Sequence, residues 1–81
     1  MRRAGRMDYR QVFATNLRRA RNAKGLSQEE LALAAVIDRT YLSKLETGAT
    51  WAGLKIMCKL ARVLSVEPAD FLTRPKRRSG R

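Results

Sequence analysis

The chain has 81 residues, which suffices for one domain around one small core. Its single cysteine, Cys58, excludes an internal disulfide, and with no histidine present no zinc ligand set can be assembled. No apolar run approaches the roughly 18 residues of a membrane span and no signal-peptide core follows Met1, so the expectation is a cytoplasmic protein without metal or cofactor.

The net charge of +11 is unevenly placed. Arg2, Arg3 and Arg6 supply +3 before Asp8, and Arg74, Lys76, Arg77, Arg78 and Arg81 supply +5 after Leu72. Between them, ten basic and seven acidic residues leave only +3. Residues 1–7 and 73–81 are expected to be disordered, having little to bury. Two readings of these ends stand side by side. They are arms that contact phosphate and release counterions, or they are solubilising ends with no partner.

A first helix is predicted from Asp8 to Lys24. Phe13, Leu17 and Ala20 form its core stripe, Tyr9 and Val12 flank it, and Gly25 with Leu26 has the form of a Schellman stop. A second helix starts at Ser27, an N-cap that Glu30 completes as a capping box, and turns Leu31, Ala32 and Ala35 inward. A third is bounded by Asp38 as N-cap and Gly48 as the left-handed residue past its end. Tyr41, Leu42 and Leu45 lie on its inner side. Arg39, Thr40, Ser43, Lys44 and Thr47 spread over roughly 140° of its outer side.

That outer face carries a guanidinium, an ammonium and three hydroxyls, with no carboxylate. It can donate to phosphates and to the edges of guanine, and its hydroxyls can also accept. A plain solvated helix face has the same composition, so the pattern alone leaves both readings open.

After Gly48 the loop holds Trp51, the only tryptophan. It has three readings: a lid over the end of the core, a stacking group at a groove edge, or an anchor in a dimer contact. The fourth helix, Leu54 to Leu64, presents Leu54, Met57, Leu60, Ala61 and Leu64 inward. Cys58 beside that stripe is expected to be a small buried apolar residue, not a redox group. A fifth short helix opens near Pro68 and ends at Phe71 and Leu72. No strand pattern, internal repeat, phosphate-binding glycine loop or acid–base carboxylate pair is present, so an enzyme reading lacks its parts.

The run from Leu26 to Ala32 (Leu-Ser-Gln-Glu-Glu-Leu-Ala) and the run from Asp38 to Gly48 resemble the helix-turn-helix of the lambda-repressor/Cro-like (XRE) family. The likeness continues through Leu54, Met57, Leu60 and Leu64 to Pro68, Phe71 and Leu72, covering roughly Phe13 to Leu72. The Asp38-Arg-Thr-Tyr-Leu-Ser run is similar to controller proteins of restriction–modification systems, although it occurs in other members too. The resemblance implies an all-α, five-helix DNA-binding domain over residues 8–72. It implies base contacts from Arg39, Thr40, Ser43 and Lys44, and backbone contacts from Ser27, Gln28 and Thr47. It also implies an arginine–glutamate pair, Arg21 with Glu46, tying the first helix to the third. Related proteins dimerise near the fifth helix, so Val66 and Phe71, together with Trp51, are candidate dimer contacts.

Two positions depart from the family pattern. Val36 stands where a glycine or asparagine with positive φ is usual, so the turn is either built differently or strained. The Ala49-Thr-Trp-Ala-Gly53 loop lacks the basic and Asn-Pro residues that commonly touch the DNA backbone. The expected function is sequence-specific transcriptional regulation by a homodimer on a two-fold symmetric operator in double-stranded DNA, with no small-molecule ligand. The rival expectation is an antitoxin-like or adaptor module that holds a protein partner.

Overall fold

The computed structural model describes residues 8–74. Arg2, Arg3 and Arg6, together with Lys76, Arg77, Arg78 and Arg81, lie outside the described residues, as does the disorder expected of residues 1–7 and 75–81. Thr73, expected in the disordered tail, is instead tied to the fold, its carbonyl accepting from Asn16 and its hydroxyl donating to the Ala69 carbonyl. Helices α1 (Tyr9–Ala23), α2 (Gln28–Ala35), α3 (Arg39–Thr47) and α4 (Leu54–Leu64) are followed by a 3-10 helix, Pro68–Leu72. The fold is all-helical, but the fifth α-helix expected from the sequence is this single 3-10 segment. Five residues opening on a proline leave almost no room for a run of i→i+4 bonds.

The first three helices each start at a side-chain cap, whereas α4 follows Gly53 without one. Asp8 accepts from the Arg10 amide at 3.1 Å and Asp38 from the Tyr41 amide at 3.1 Å. The Ser27 hydroxyl accepts from the Glu30 amide at 3.0 Å, while the Glu30 carboxylate accepts from the Ser27 amide at 2.8 Å. These bonds satisfy amides that a helix start otherwise leaves without partners.

Each α-helix ends in the same closing bond, from the residue past the left-handed turn back to the carbonyl five residues earlier. The donors are Leu26, Ile37, Ala49 and Val66, and the acceptors are the carbonyls of Arg21, Ala32, Lys44 and Ala61. After α1 and α3 the left-handed residue is a glycine, Gly25 or Gly48. After α2 it is Val36 at φ 57°, and after α4 it is Ser65 at φ 58°. The turn of the motif therefore has its ordinary shape, and Val36 bears the strain.

A β-branched residue in that region costs about 1–2 kcal/mol. Val36 is 78 % exposed, so almost no burial offsets the cost. Val36→Gly should stabilise the domain by about 0.5–1 kcal/mol after the larger chain entropy of glycine is subtracted, or roughly 2–8 °C in Tm. A thermal melt showing no rise, or a fall, would mean that the valine is held without strain.

The core gathers Phe13 and Leu17 from α1, Leu31 and Ala35 from α2, Leu42 and Leu45 from α3, and Leu60 and Leu64 from α4, with Phe71 closing one end. Phe71 meets Phe13 edge-on, with centroids 5.2 Å apart and rings inclined at 70°. Asn16 fastens the 3-10 helix to α1 by donating from Nδ2 to the carbonyls of Phe71 and Thr73, both at 2.9 Å.

Three apolar expectations need correction. Leu54 is 72 % exposed, because its stripe on α4 runs past the edge of the core at the first helical residue. Cys58 is exposed, since one step along the helix from buried Met57 rotates it about 100° out of the core. Phe71 is 1 % exposed and belongs to the chain's own core, so it has no surface to offer a second copy.

Candidate nucleic-acid interface

The outer side of α3 is set by helical period. With Leu42, Leu45 and Glu46 buried, Arg39, Thr40, Lys44 and Thr47 are exposed and Ser43 is half-buried along the opposite side. The side chains of Arg39, Thr40, Ser43 and Lys44 spend no hydrogen bond on another described residue. The Thr47 hydroxyl donates to the Lys44 carbonyl at 3.1 Å, so it must turn before it can donate outward. Asp38, the carboxylate nearest in sequence to the start of this face, is engaged in capping the helix.

Behind the face sits Glu46, only 2 % exposed although it is an acid. Arg21 of α1 donates to it twice, from Nε to Oε2 at 2.6 Å and from Nη2 to Oε1 at 2.9 Å. Gln28 of α2 adds a bond from Nε2 to Oε1 at 3.0 Å. The remaining donor of Arg21, Nη1, reaches the Leu26 carbonyl at 2.8 Å, and Arg18 donates to the Glu46 backbone carbonyl. The two-pronged geometry suits a planar guanidinium and a carboxylate, and hydrogen bonding to Glu46 raises the Arg21 pKa against the opposing pull of burial. One carboxylate thus fixes α3 to α1 and to the start of α2.

Gln28 therefore stands at two tasks: it braces Glu46 and occupies the N-terminus of α2, where backbone amides point outward. Ser27 accepts from Glu30 through its oxygen and keeps its own hydroxyl hydrogen for an outside acceptor. Gln11 is a brace that sequence reasoning missed. Its Nε2 donates to the Thr47 carbonyl at 3.2 Å, over the place where a side chain on Gly48 would stand. Arg18 and Asn16 were missed likewise, since a polar residue flanking a core stripe gives no hint of which distant carbonyl it will meet.

Trp51 is 64 % exposed, so it is not a lid over the core. Its carbonyl accepts from the Tyr41 hydroxyl at 3.4 Å, and the Arg10 guanidinium lies 5.4 Å from its ring centroid. With Tyr9, Arg10 and Leu72 it lines an open cleft of about 440 Å³. Val66 is half-buried against the core.

Among the described residues no group of histidine, cysteine and carboxylate side chains could hold a metal ion, and no helix is long and apolar enough to cross a membrane. The chain shares its fold with known proteins. The control protein C.SmaI of Serratia marcescens is 35 % identical over 68 residues, spanning 84 % of this chain and 81 % of that one. The crystal structure of the hypothetical transcription factor NHTF from Neisseria superposes with a TM-score of 0.81 at 41 % identity, covering 84 % of this chain and 76 % of that one. The restriction-modification controller protein C.AhdI from Aeromonas hydrophila gives 0.74 at 40 % identity, over 76 % of this chain and 94 % of that one. The sequence profile of the helix-turn-helix family HTH_3 matches residues 17–71, and with that match the chain belongs to this family.

Proposed function

We propose that the chain is a DNA-binding transcription regulator that reads a specific operator with the outer face of α3. The observation that carries this is a carboxylate-free row of unspent donors on one helix, held rigidly from behind by the Arg21–Glu46–Gln28 cluster. Arg39 and Thr40, at the end of the helix that would enter the major groove first, are assigned to base edges, with Ser43 and Lys44 one turn on. Ser27, Gln28 and, after its hydroxyl turns, Thr47 are assigned to the DNA backbone. Two relatives are named control proteins and a third a restriction-modification controller protein, which supports regulation as the task, with the controller role as its more specific form.

One module makes few contacts for a specific site, which favours a homodimer on two half-sites. Exposed Trp51 and half-buried Val66 are the side chains assigned to that contact, while Phe71 supports the surface from beneath. Selection of bound sequences from a random duplex pool tests the reading. The expected result is an enriched two-fold symmetric site. Failure to enrich any sequence would hand the function to the adaptor reading, in which a protein is the partner.

The charged ends give a separate prediction. Because Asn16 holds the Thr73 carbonyl, trimming should spare residues up to Arg74. Removal of residues 1–6 and 75–81 takes away seven cations and should flatten the salt dependence of operator binding while leaving base preference intact. An unchanged slope of log affinity against log salt would show that the ends touch no phosphate.

A further inference from the structure

On the flank of the fold, the last turn of α2 and the middle of α4 enclose a second groove, of about 410 Å³. Its apolar part is Ala34, Val36, Val63 and the methylene of Cys58, and its rim is Lys55, Lys59 and Arg62. No carboxylate lines it, and none of the three cations forms an ion pair among the described residues. Spaced i, i+4 and i+7 along one helix, they repel one another. Leu33, the residue before Ala34 in the chain, is 79 % exposed.

Val36 makes the groove hard to explain as plain surface. The chain accepts a strained left-handed valine whose side chain contributes nothing to the core and stands at the edge of this groove. Backbone strain clusters at functional sites, and here it falls on an exposed apolar side chain bordered by three cations.

We propose that this groove docks an acidic amphipathic segment of a protein partner, with carboxylates on Lys55, Lys59 and Arg62 and apolar side chains against Val36 and Val63. Charge complementarity selects an acidic partner, and the apolar floor selects a peptide over a phosphate backbone, which needs cations but no such floor. The end of α2 assigned to DNA, Ser27 and Gln28, lies about 13 Å along the helix axis from Val36. The regulator could thus hold operator and partner together.

The probe is a short helix-forming peptide with glutamates on one face and leucines on the other, titrated at physiological salt into the full chain. Amide chemical shifts should move at residues 33–36 and 55–63. Lys59→Gln with Arg62→Gln should weaken the peptide by about tenfold or more, while Arg19→Gln with Lys24→Gln, losing equal charge at the end of α1 and just past it, should leave it unchanged. Val36→Gly should weaken the peptide although it raises Tm, a combination that a merely structural role for the valine does not produce.

Equal loss in both charge variants would overturn the proposal, as would shifts confined to other residues. A reduced salt slope of operator binding in Lys59→Gln/Arg62→Gln would assign the cations to phosphate instead. Self-association abolished by the same changes would assign the groove to a second copy. Selection of operator sequences is read separately, so failure here leaves the DNA-reading assignment standing.

Discussion

Arg21→Ala is expected to cost the domain roughly 3–5 kcal/mol, measured by urea unfolding, because it strands the Glu46 carboxylate inside the fold. Glu46 is 2 % exposed and Gln28 would be its only remaining side-chain donor. A small domain has about 5–15 kcal/mol in total, so much of the folded population would be lost at moderate temperature. Glu46→Ala should be comparably harmful, since it leaves a half-buried guanidinium with only the Leu26 carbonyl. Replacing both, as Arg21→Met with Glu46→Leu, removes both desolvated charges and should recover most of the stability. Operator affinity should not recover with it, because the cross-links that hold α3 against α1 and Gln28 are gone. A single-variant loss below about 1 kcal/mol would mean that water reaches the carboxylate and replaces the arginine.

This contribution is insensitive to pH in the usual range. The folded-state pKa of Arg21 is raised, so the stabilisation is fully present below the unfolded-state value and is lost only as pH rises past it. That lies far above neutrality. An unfolding free energy that changes between pH 6 and 9 must therefore come from other groups.

How much of this could be read from the sequence depends on the range of each interaction. The caps at Ser27, Glu30 and Asp38, and the stop at Gly48, are local, and the residues that make them lie within a few positions of one another. Period alone likewise puts Arg39, Thr40 and Lys44 opposite Leu42 and Leu45. Period fails where a stripe runs beyond the core, which is why Leu54 reads as buried and stands exposed. It fails again at Cys58, which borders the stripe but faces the groove.

Long-range polar contacts are the other blind spot. Nothing near Asn16 says that it will bind carbonyls 55 and 57 residues away, and Arg21 with Glu46 shows only complementary charge until a family resemblance suggests the pair. Val36 is the instructive case. The sequence exposes the conflict between a β-branched residue and a left-handed turn, but only the backbone shows that the turn prevails.

Arg39→Ala should reduce operator affinity by roughly 1–3 kcal/mol per half-site and relax preference at a single base pair. Arg39 is the first residue of α3, follows the Asp38 cap and is exposed, so its guanidinium is free to present two parallel donors outward. Guanine offers O6 and N7 at matching separation in the major groove, and the pairing fails with the other bases. Arg39→Lys keeps the charge but loses the fork, so it should retain phosphate attraction and lose most of the discrimination. Lys55→Ala, away from the reading face, should leave base preference unchanged. All variants are to be compared at one salt concentration, on the selected operator and on single-base changes of it. If Arg39→Ala weakens every sequence alike, the arginine holds phosphate. If it weakens none, the outer face of α3 does not read DNA, and the clamp behind it serves the fold alone.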